Sequence, residues 1–319
     1  MFPAIDAIRQ RASSVFRKVA YPNPQDQRVL EAISSISQQE IAHPILIGDK
    51  PWIESQFQGR KLLLGDIEIV DPNSGRAGVY ADILLDNLRA QGFRESELRQ
   101  RLKDPTEYAA ALVRAGDAHG LVAGPGTAEG QSGLEGTAGF SVGHGAQCRC
   151  FLVAFPRGDP RSSLLIADGL FMAPPRPFEL AEIALEACRC NRELLQSESR
   201  VGFLAPSVVV SLGKHSRFES AADMLGGRVK QAIDTLQARE AGLLVDSQLH
   251  TGFPADGSAN VYVLCDRQGG NPRYSLEREF EGARVVGPFL RGLETPANEL
   301  GPGCSVEDVI DVSAITALN

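Results

Sequence analysis

A chain of 319 residues is too long for one compact α/β unit and has room for two domains of ordinary size. Its apolar share of 43% and charged share of 23% are typical of globular proteins and exclude a disordered or fibrous chain. The net charge of −8 argues against nucleic-acid binding, which needs a basic surface. Small anionic ligands remain possible, because a few local arginines can act against a weak overall field.

The first residues, 1–19, alternate apolar and basic side chains with helical spacing and lack the apolar core of a secretory signal peptide. No apolar run in the sequence approaches the roughly 20 residues that cross a bilayer. We therefore expect a cytoplasmic protein that does not enter membranes.

Short runs rich in Val, Ile and Leu predict strands that are covered on both faces. These runs are 44–48, 67–71, 120–124, 151–155, 163–168, 201–205, 242–246, 260–266 and 283–288. Helical patterns lie between them, at 26–39, 80–92, 105–116, 177–196 and 220–242. Strands that alternate with helices predict an α/β fold with parallel sheets and right-handed crossovers.

Residues 124–145 contain too much glycine for a regular helix, and we place the boundary between two domains there. The segment is either a crossover between the domains or a loop whose backbone N–H groups hold phosphate. It also resembles a dinucleotide-binding fingerprint. However, no amphipathic helix follows at once and the segment lies deep in the chain, so nicotinamide binding is disfavoured.

Four of the six cysteines form two pairs with Cys-x-Cys spacing, Cys148 with Cys150 and Cys188 with Cys190. Four thiolates could close a zinc site. The first pair lies on a predicted strand, where alternate residues share a face. The second lies on a predicted helix, where two residues of separation turn by about 200°. We therefore interpret the cysteines as buried free thiols and expect no metal site.

The C-terminal segment, 285–319, contains a distinctive set of residues, namely Gly287, Pro288, Gly292, Leu293, Pro296, Asn298 and the run Gly303 to Asp308. With these residues in this order, the segment resembles the end of phosphate acetyl/butyryltransferases, the phosphotransacetylase family. Thinner matches occur upstream in the same order, in PILIGD (44–49), IEIVDP (67–72), LVRAGDAHGLVAG (112–124), IADG (166–169) and ANVYVLCDRQGGNPRY (259–274). The resemblance thus extends over nearly the whole chain.

The resemblance implies two α/β/α domains with mainly parallel sheets and an inter-domain cleft, an architecture like that of isocitrate and isopropylmalate dehydrogenases. Residues 1–140 and 292–319 would form the first domain and 141–291 the second. Such proteins are commonly homodimers, and they transfer acyl groups reversibly between acyl-CoA, such as acetyl-CoA, and phosphate. They use a coenzyme A ester as substrate and hold no tightly bound cofactor.

Four residues are candidate catalytic groups, because they match the family's site or follow strands whose carboxyl ends face ligands in open α/β sheets. They are Asp168, Asp266, Asn271 and Asp308. Two alternatives stay open. Asp308 can cap the last helix together with Ser305, and Asn271 can hold a turn.

Candidate anion-binding residues fall in two places. Arg89 matches the arginine with which the family contacts its anionic ligand, although it can equally be a solvated arginine at a helix end. Lys214, His215 and Arg217 precede a predicted helix, whose N-terminal N–H groups favour anions, and a solvated basic loop is the alternative. His250 is expected to be a loop residue without a partner.

The chain departs from the family where the chemistry would lie. Gly301 and Pro302 stand where the family has Ser-Arg, so a hydroxyl and a guanidinium are missing. Further departures fall near Leu134, at 172–175 and in DSQLHTG (246–252).

These departures favour two hypotheses. One is an acyltransferase with a degenerate catalytic signature, and the other is a non-catalytic sensor of acyl-CoA or anions on the same fold. A third, an NAD(P)-dependent dehydrogenase, lacks the clustered metal-binding aspartates and substrate arginines that its chemistry needs.

Overall fold

The structure is a computed structural model. It describes residues 1–73, 77–88, 94–125, 147–169, 176–205, 216–240, 242–250, 252–254, 257–265 and 272–319, with the side chains of 86–88 and 216–223 left out. The chain divides into two compact units. The first unit is Asp6–Val142 with Leu293–Asn319, and the second is Met1–Ile5 with Gly143–Gly292. The boundaries expected from the sequence put residues 1–5 in the first domain, whereas the structure groups Met1–Ile5 with the second unit.

The described helices are α1 (Pro3–Val15), α2 (Gln27–Gln38), α3 (Lys50–Arg60), α4 (Ala77–Leu88), α5 (Glu95–Arg101), α6 (Pro105–Ala115), α7 (Pro177–Leu195), α8 (Ser216–Arg239), α9 (Pro272–Glu279) and α10 (Val306–Leu318). The described strands are β1 (Lys18–Tyr21), β2 (His43–Ile47), β3 (Glu68–Val70), β4 (Gly120–Ala123), β5 (Cys148–Ala154), β6 (Ser163–Gly169), β7 (Arg200–Leu204), β8 (Leu244–His250), β9 (Val261–Leu264), β10 (Arg284–Arg291) and β11 (Ala297–Glu299).

The sheet of the first unit is parallel throughout, in the order β11-β4-β1-β2-β3. From β1 the chain adds β2 and then β3 on one side, and β4 returns to the other side of β1. The strand order therefore reverses between β1 and β4, which is the kind of place where open α/β sheets bind ligands. Val19, Ala20 and Tyr21 on β1 are consecutive and fully buried, so both faces of this sheet are covered.

The tail of the chain completes this first sheet. Strand β11 pairs with β4, and α10 packs against α2, β1 and β4. All residues from Asp308 to Ala317 are buried. Gly120 allows this close packing, because a Cβ on it would lie 2.6 Å from Thr316 Cγ2. The Asn298 amide donates a buried hydrogen bond of 2.7 Å to Thr316 Oγ1, which ties β11 to α10.

The sheet of the second unit has the order β10-β5-β6-β9-β7-β8. Strands β6, β9, β7 and β8 run parallel, whereas β5 is antiparallel to both β6 and β10. Helix α7 packs on β6 and β9. Phe151, Phe155, Tyr262 and Phe280 belong to one buried apolar cluster of this unit. The predicted fold class, α/β with mainly parallel sheets, is thus confirmed.

All six cysteines are buried free thiols. Cys148 and Cys150 share one face of β5, as predicted, with their Sγ atoms 3.9 Å apart. In the described ranges, no three His, Cys, Asp or Glu side chains are grouped so that they could hold a metal ion. None of the helices that these ranges contain is long and apolar enough to span a membrane.

Candidate functional site

The carboxyl ends of β1 and β4 are joined by a hydrogen bond at the point where the strand order reverses. Asn23 follows β1, and its Oδ1 accepts from the backbone N–H of Gly124 at 2.8 Å, directly after β4. The loops that leave the two strands are therefore held together at the edge of the sheet where ligands bind in open α/β folds.

Arg28 fastens the loop after β11 to this same edge. Asp26 caps α2 by accepting from the N–H of Arg28, and it also accepts from the Arg28 guanidinium, Nε at 3.0 Å and Nη2 at 2.8 Å. Arg28 Nη1 donates to the carbonyls of Pro302 and Cys304, each at 2.7 Å. The hydrogen bond from the Arg28 side chain, more than any other cause, lowers the pKa of Asp26. Pro302 occupies the position at which the family has an arginine. The guanidinium that contacts this loop belongs instead to Arg28 on α2.

Asp308 adopts the capping role that the sequence left open. Its Oδ2 accepts from the N–H of Ser305 at 2.7 Å and from the Ser305 hydroxyl at 2.8 Å. The N–H of Asp308 donates back to Ser305 Oγ at 3.2 Å. The carboxylate is 1% exposed at the start of α10. Its catalytic role stays a prediction.

Asp168 lies near the carboxyl end of β6, as predicted, and is 4% exposed. It pairs with Arg149, which lies opposite it on the antiparallel strand β5. The carboxylate is therefore held by a neighbouring strand within the second unit. Its part in catalysis also stays a prediction.

The other candidate residues cannot be placed. Arg89, Lys214, His215, Asp266 and Asn271 lie outside the described residues, and so do Leu134 and 172–175. Of Arg217 only the backbone is described, in the first turn of α8. The proposed roles of all these residues stay predictions.

His250 has a partner that the sequence did not reveal. The expectation of a loop histidine without one is wrong, because His250 ends β8 and its Nε2 lies 2.7 Å from Asp246 Oδ2. Four residues of a regular strand span about 13 Å, so the Asp-x-x-x-His spacing gave no signal. A β-bulge brings the pair together. Val201 and Phe203 on β7 face Val245 and Leu249 on β8, which leaves two extra residues in β8.

The bulge also orients Asp246. Its Oδ1 accepts from the N–H of Gln248 at 2.9 Å, while Oδ2 faces His250. Burial opposes ionisation of this carboxyl. The hydrogen bonds from Gln248, His250 and Ser258 outweigh it, and the pKa of Asp246 is lowered. An ionised carboxylate thus faces an imidazole at the carboxyl edge of the second sheet.

The whole chain is similar to one family of proteins. A sequence model of the family described as Phosphate acetyl/butaryl transferase matches residues 4–317. The phosphate acetyltransferase of Acetivibrio thermocellus is 27% identical, over 98% of this chain and 97% of the relative. That of Paracoccus denitrificans is 29% identical, over 98% of each. The solved structure of EutD phosphotransacetylase from Staphylococcus aureus has a TM-score of 0.79 at 23% identity, covering 99% of this chain and 98% of that one, and supports the fold.

Proposed function

We propose that this chain, which belongs to the phosphate acetyl/butyryl transferase family, transfers an acyl group reversibly between coenzyme A and inorganic phosphate. The observation that carries the proposal is the family match over residues 4–317, together with phosphate acetyltransferases that align over 98% of the chain. The substrates are then an acyl-CoA, such as acetyl-CoA, and phosphate or a similar small anion. We expect a cytoplasmic homodimer without a tightly bound cofactor.

The reaction makes three demands on the protein. A phosphate oxygen must be positioned to attack the thioester carbonyl. The oxyanion that develops needs hydrogen-bond donors. The C–S bond then breaks, and the departing thiolate needs a proton. The edge at Asn23, Arg28 and Gly124 supports the first demand, because the Arg28 guanidinium and the Gly124 N–H hold the surrounding loops in place where ligands bind in such sheets.

The catalytic signature is incomplete at Gly301 and Pro302, and we expect turnover to be slow for that reason. The same observation favours the alternative, a non-catalytic sensor that binds acyl-CoA or an anion. Backbone groups of the loop are fixed in both cases, since Arg28 donates to the carbonyl oxygens of Pro302 and Cys304.

The test follows thiol release from acetyl-CoA and butyryl-CoA by the purified full-length chain, with and without phosphate. Phosphate-dependent release with formation of the acyl phosphate supports the enzyme. Saturable binding of acyl-CoA in calorimetry without any turnover contradicts it and supports the sensor.

A second part of the experiment restores the Ser-Arg pair that the family has at positions 301 and 302. In the double variant Gly301→Ser, Pro302→Arg, we expect kcat to rise by about 10²-fold, the usual contribution of an oxyanion donor. The serine fits, because a Cβ on Gly301 would meet nothing within 4 Å. Gly303→Ala is the matched control, since it changes the same loop in equally open space without adding a donor. A rise in both variants would trace the effect to the loop backbone.

A further inference from the structure

We propose that a cavity in the second unit binds a small zwitterion, of the class of α-amino acids with an aliphatic side chain. The cavity has a volume of about 780 Å³, which falls in the usual range for small-molecule sites. Its lining includes Cys188, Arg192, Glu198, Glu240, Leu243 and Leu244, all of which belong to the second unit. The inference goes beyond the proposed acyl transfer and does not depend on it.

The cavity lies at the amino edge of the second sheet, where α7 ends and β7 and β8 begin. Cys188 and Arg192 are in the last two turns of α7, and Glu198 precedes β7. Leu244 is the first residue of β8, which runs parallel to β7 and pairs there with its first residue, Arg200. The cavity is therefore at the opposite edge of the sheet from the carboxyl ends, where open α/β folds usually bind ligands.

Hydrogen bonds hold the wall between α7 and β7 in place. The fully buried Asn191 donates from Nδ2 to the carbonyl of Ser197 at 2.9 Å and to Ser199 Oγ at 3.0 Å. Asn260 Nδ2 donates to the carbonyl of Glu198 at 2.9 Å. This wall is thus formed before a ligand binds, which lowers the entropy cost of binding.

Three charged side chains line the cavity and are left unpaired in the described part of the chain. Arg192, Glu198 and Glu240 take part in no ion pair or side-chain hydrogen bond with the described residues. Arg189, three positions before Arg192 on the same helix, pairs instead with Glu186 at 2.6 Å. One guanidinium and two carboxylates are therefore left for a ligand at this cavity.

The thiol beside these charges is neutral at physiological pH. Burial is the largest cause and raises the pKa of Cys188 to about 11. Glu240 raises this pKa further and Arg192 lowers it, so both charges act on the same buried group. Cys188 therefore adds apolar surface rather than charge, and Leu243 and Leu244 extend that surface.

These groups determine what the cavity binds. Arg192 offers the fork of donors that recognises a carboxylate. Glu198 and Glu240 attract an ammonium group, and the leucines cover an aliphatic side chain. A simple anion would meet two carboxylates, and a simple amine would leave the guanidinium unpaired. A zwitterion satisfies groups of both signs.

Isothermal titration calorimetry of the full-length protein with L-leucine tests the site. We expect saturable binding at a single site. Two analogues serve as matched controls, isopentylamine, which lacks the carboxylate of leucine, and isocaproate, which lacks its ammonium group. Each should bind about tenfold or more weakly than leucine, since each loses one charge-assisted contact.

Variants assign the two charges of the ligand to residues of the cavity. Arg192→Gln should weaken leucine binding by about tenfold or more and leave isopentylamine binding unchanged. Glu240→Gln should weaken leucine binding and leave isocaproate binding no weaker than in the parent. Arg176→Gln is the matched control, because it makes the same change on the same helix at an exposed position that does not line the cavity.

Absence of leucine binding at millimolar concentration overturns the inference. Equal affinity for leucine and both analogues overturns it too, because binding would then come from the apolar surface alone. Both results come from the unmodified chain, so they do not depend on how a variant folds. An unchanged leucine affinity in Arg192→Gln contradicts the assignment of the carboxylate. Phosphate-dependent thiol release tests the proposed function separately, and its failure leaves leucine binding unaffected.

Discussion

At the scale of single residues, a buried ion-pair network in the second unit gives a strong prediction. Arg291 ends β10 and is 9% exposed. Its Nε donates to Glu186 Oε1 at 3.0 Å and its Nη2 to Glu193 Oε2 at 2.6 Å. Replacement of Arg291 by Ala leaves the buried Glu186 with Arg189 as its remaining partner, so we expect the free energy of unfolding to fall by about 1.5 to 3 kcal/mol, the usual contribution of a hydrogen bond to a charged group. Urea denaturation followed by circular dichroism measures this change.

The control for Arg291 is an exposed pair of the same chemistry. Arg176→Ala removes a guanidinium that contacts Glu179 but is 78% exposed. Surface pairs contribute about 0 to 1 kcal/mol, so this variant should unfold almost like the parent. Equal losses in the two variants would contradict the importance of burial.

Asp26 gives a prediction for the dependence of stability on pH. Its pKa is lowered in the folded chain, so its contribution is fully present above the unfolded pKa of about 3.9 and is lost as the pH falls through the folded value. Asp26→Asn should therefore reduce the free energy of unfolding at neutral pH, and the difference from the parent should vanish in acid.

Unfolding curves between about pH 6 and pH 2 measure that difference. Asp234→Asn is the control, because Asp234 lies on the exposed face of α8. A difference for Asp26→Asn that stays constant over the whole pH range would contradict the pairing with Arg28.

Residue roles that depend on neighbours in the chain could be predicted from the sequence. Asp104 caps α6 by accepting from Thr106 and Glu107, and Ser305 with Asp308 forms the capping pair of α10. The role of Arg28 could not be predicted, because the carbonyls that it binds are 274 and 276 positions away. The Asp246–His250 contact is local in sequence but depends on a bulge, and bulges leave no mark in the apolar pattern.

At the scale of elements, Gly120 controls how closely β4 and α10 pack. A Cβ at this position would lie 2.6 Å from Thr316 Cγ2 and 2.9 Å from the carbonyl oxygen of Pro296. Because backbone cannot yield as easily as a flexible side chain, Gly120→Ala should lower the free energy of unfolding by about 1 to 3 kcal/mol. Thermal and urea unfolding measure the loss.

Gly303→Ala also serves as the control for Gly120, since its Cβ would meet nothing within 4 Å. We expect it to change the free energy of unfolding by less than about 0.5 kcal/mol, as surface substitutions usually do. If Gly120→Ala left the free energy of unfolding unchanged, α10 would be able to move away from β4 at no cost in stability.

The apolar strands were predictable as elements, and two others were not. Strand β1, KVAY, is short and begins with an exposed lysine, and β11, ANE, has no apolar run at all. Strand β11 exists because it pairs with β4 and because Asn298 binds Thr316 on α10. Such a strand is determined by tertiary contacts, which local patterns do not contain.

At the scale of the whole molecule, the chain passes between the two units three times, after Ile5, Val142 and Gly292. The alternation of strands and helices predicted the fold class, and the glycine-rich segment 124–145 predicted the middle crossing. The return of the tail to the first unit came only with the family resemblance, and the crossing after Ile5 was not predicted. A variant truncated after Gly292 lacks β11 and α10, so the buried faces of β4 and α2 are exposed. We expect the first unit to lose its cooperative unfolding transition.

Circular dichroism during thermal unfolding and limited proteolysis detect that loss. Removal of Asn319 alone is the control, since it lies beyond the end of α10. A truncated chain that unfolds with the full cooperative change of the parent would show that the tail is dispensable.

The late position of β11 and α10 has a consequence for synthesis on the ribosome. All of the second unit except Met1–Ile5 is translated between β4 and its partner strand β11. At about 5 to 20 residues per second this takes on the order of 10 to 30 s. During that time the edge of β4 that later pairs with β11 is open, and an unpaired strand edge is a site of aggregation. A nascent chain stalled before residue 293 should therefore recruit chaperones more strongly than one released at full length.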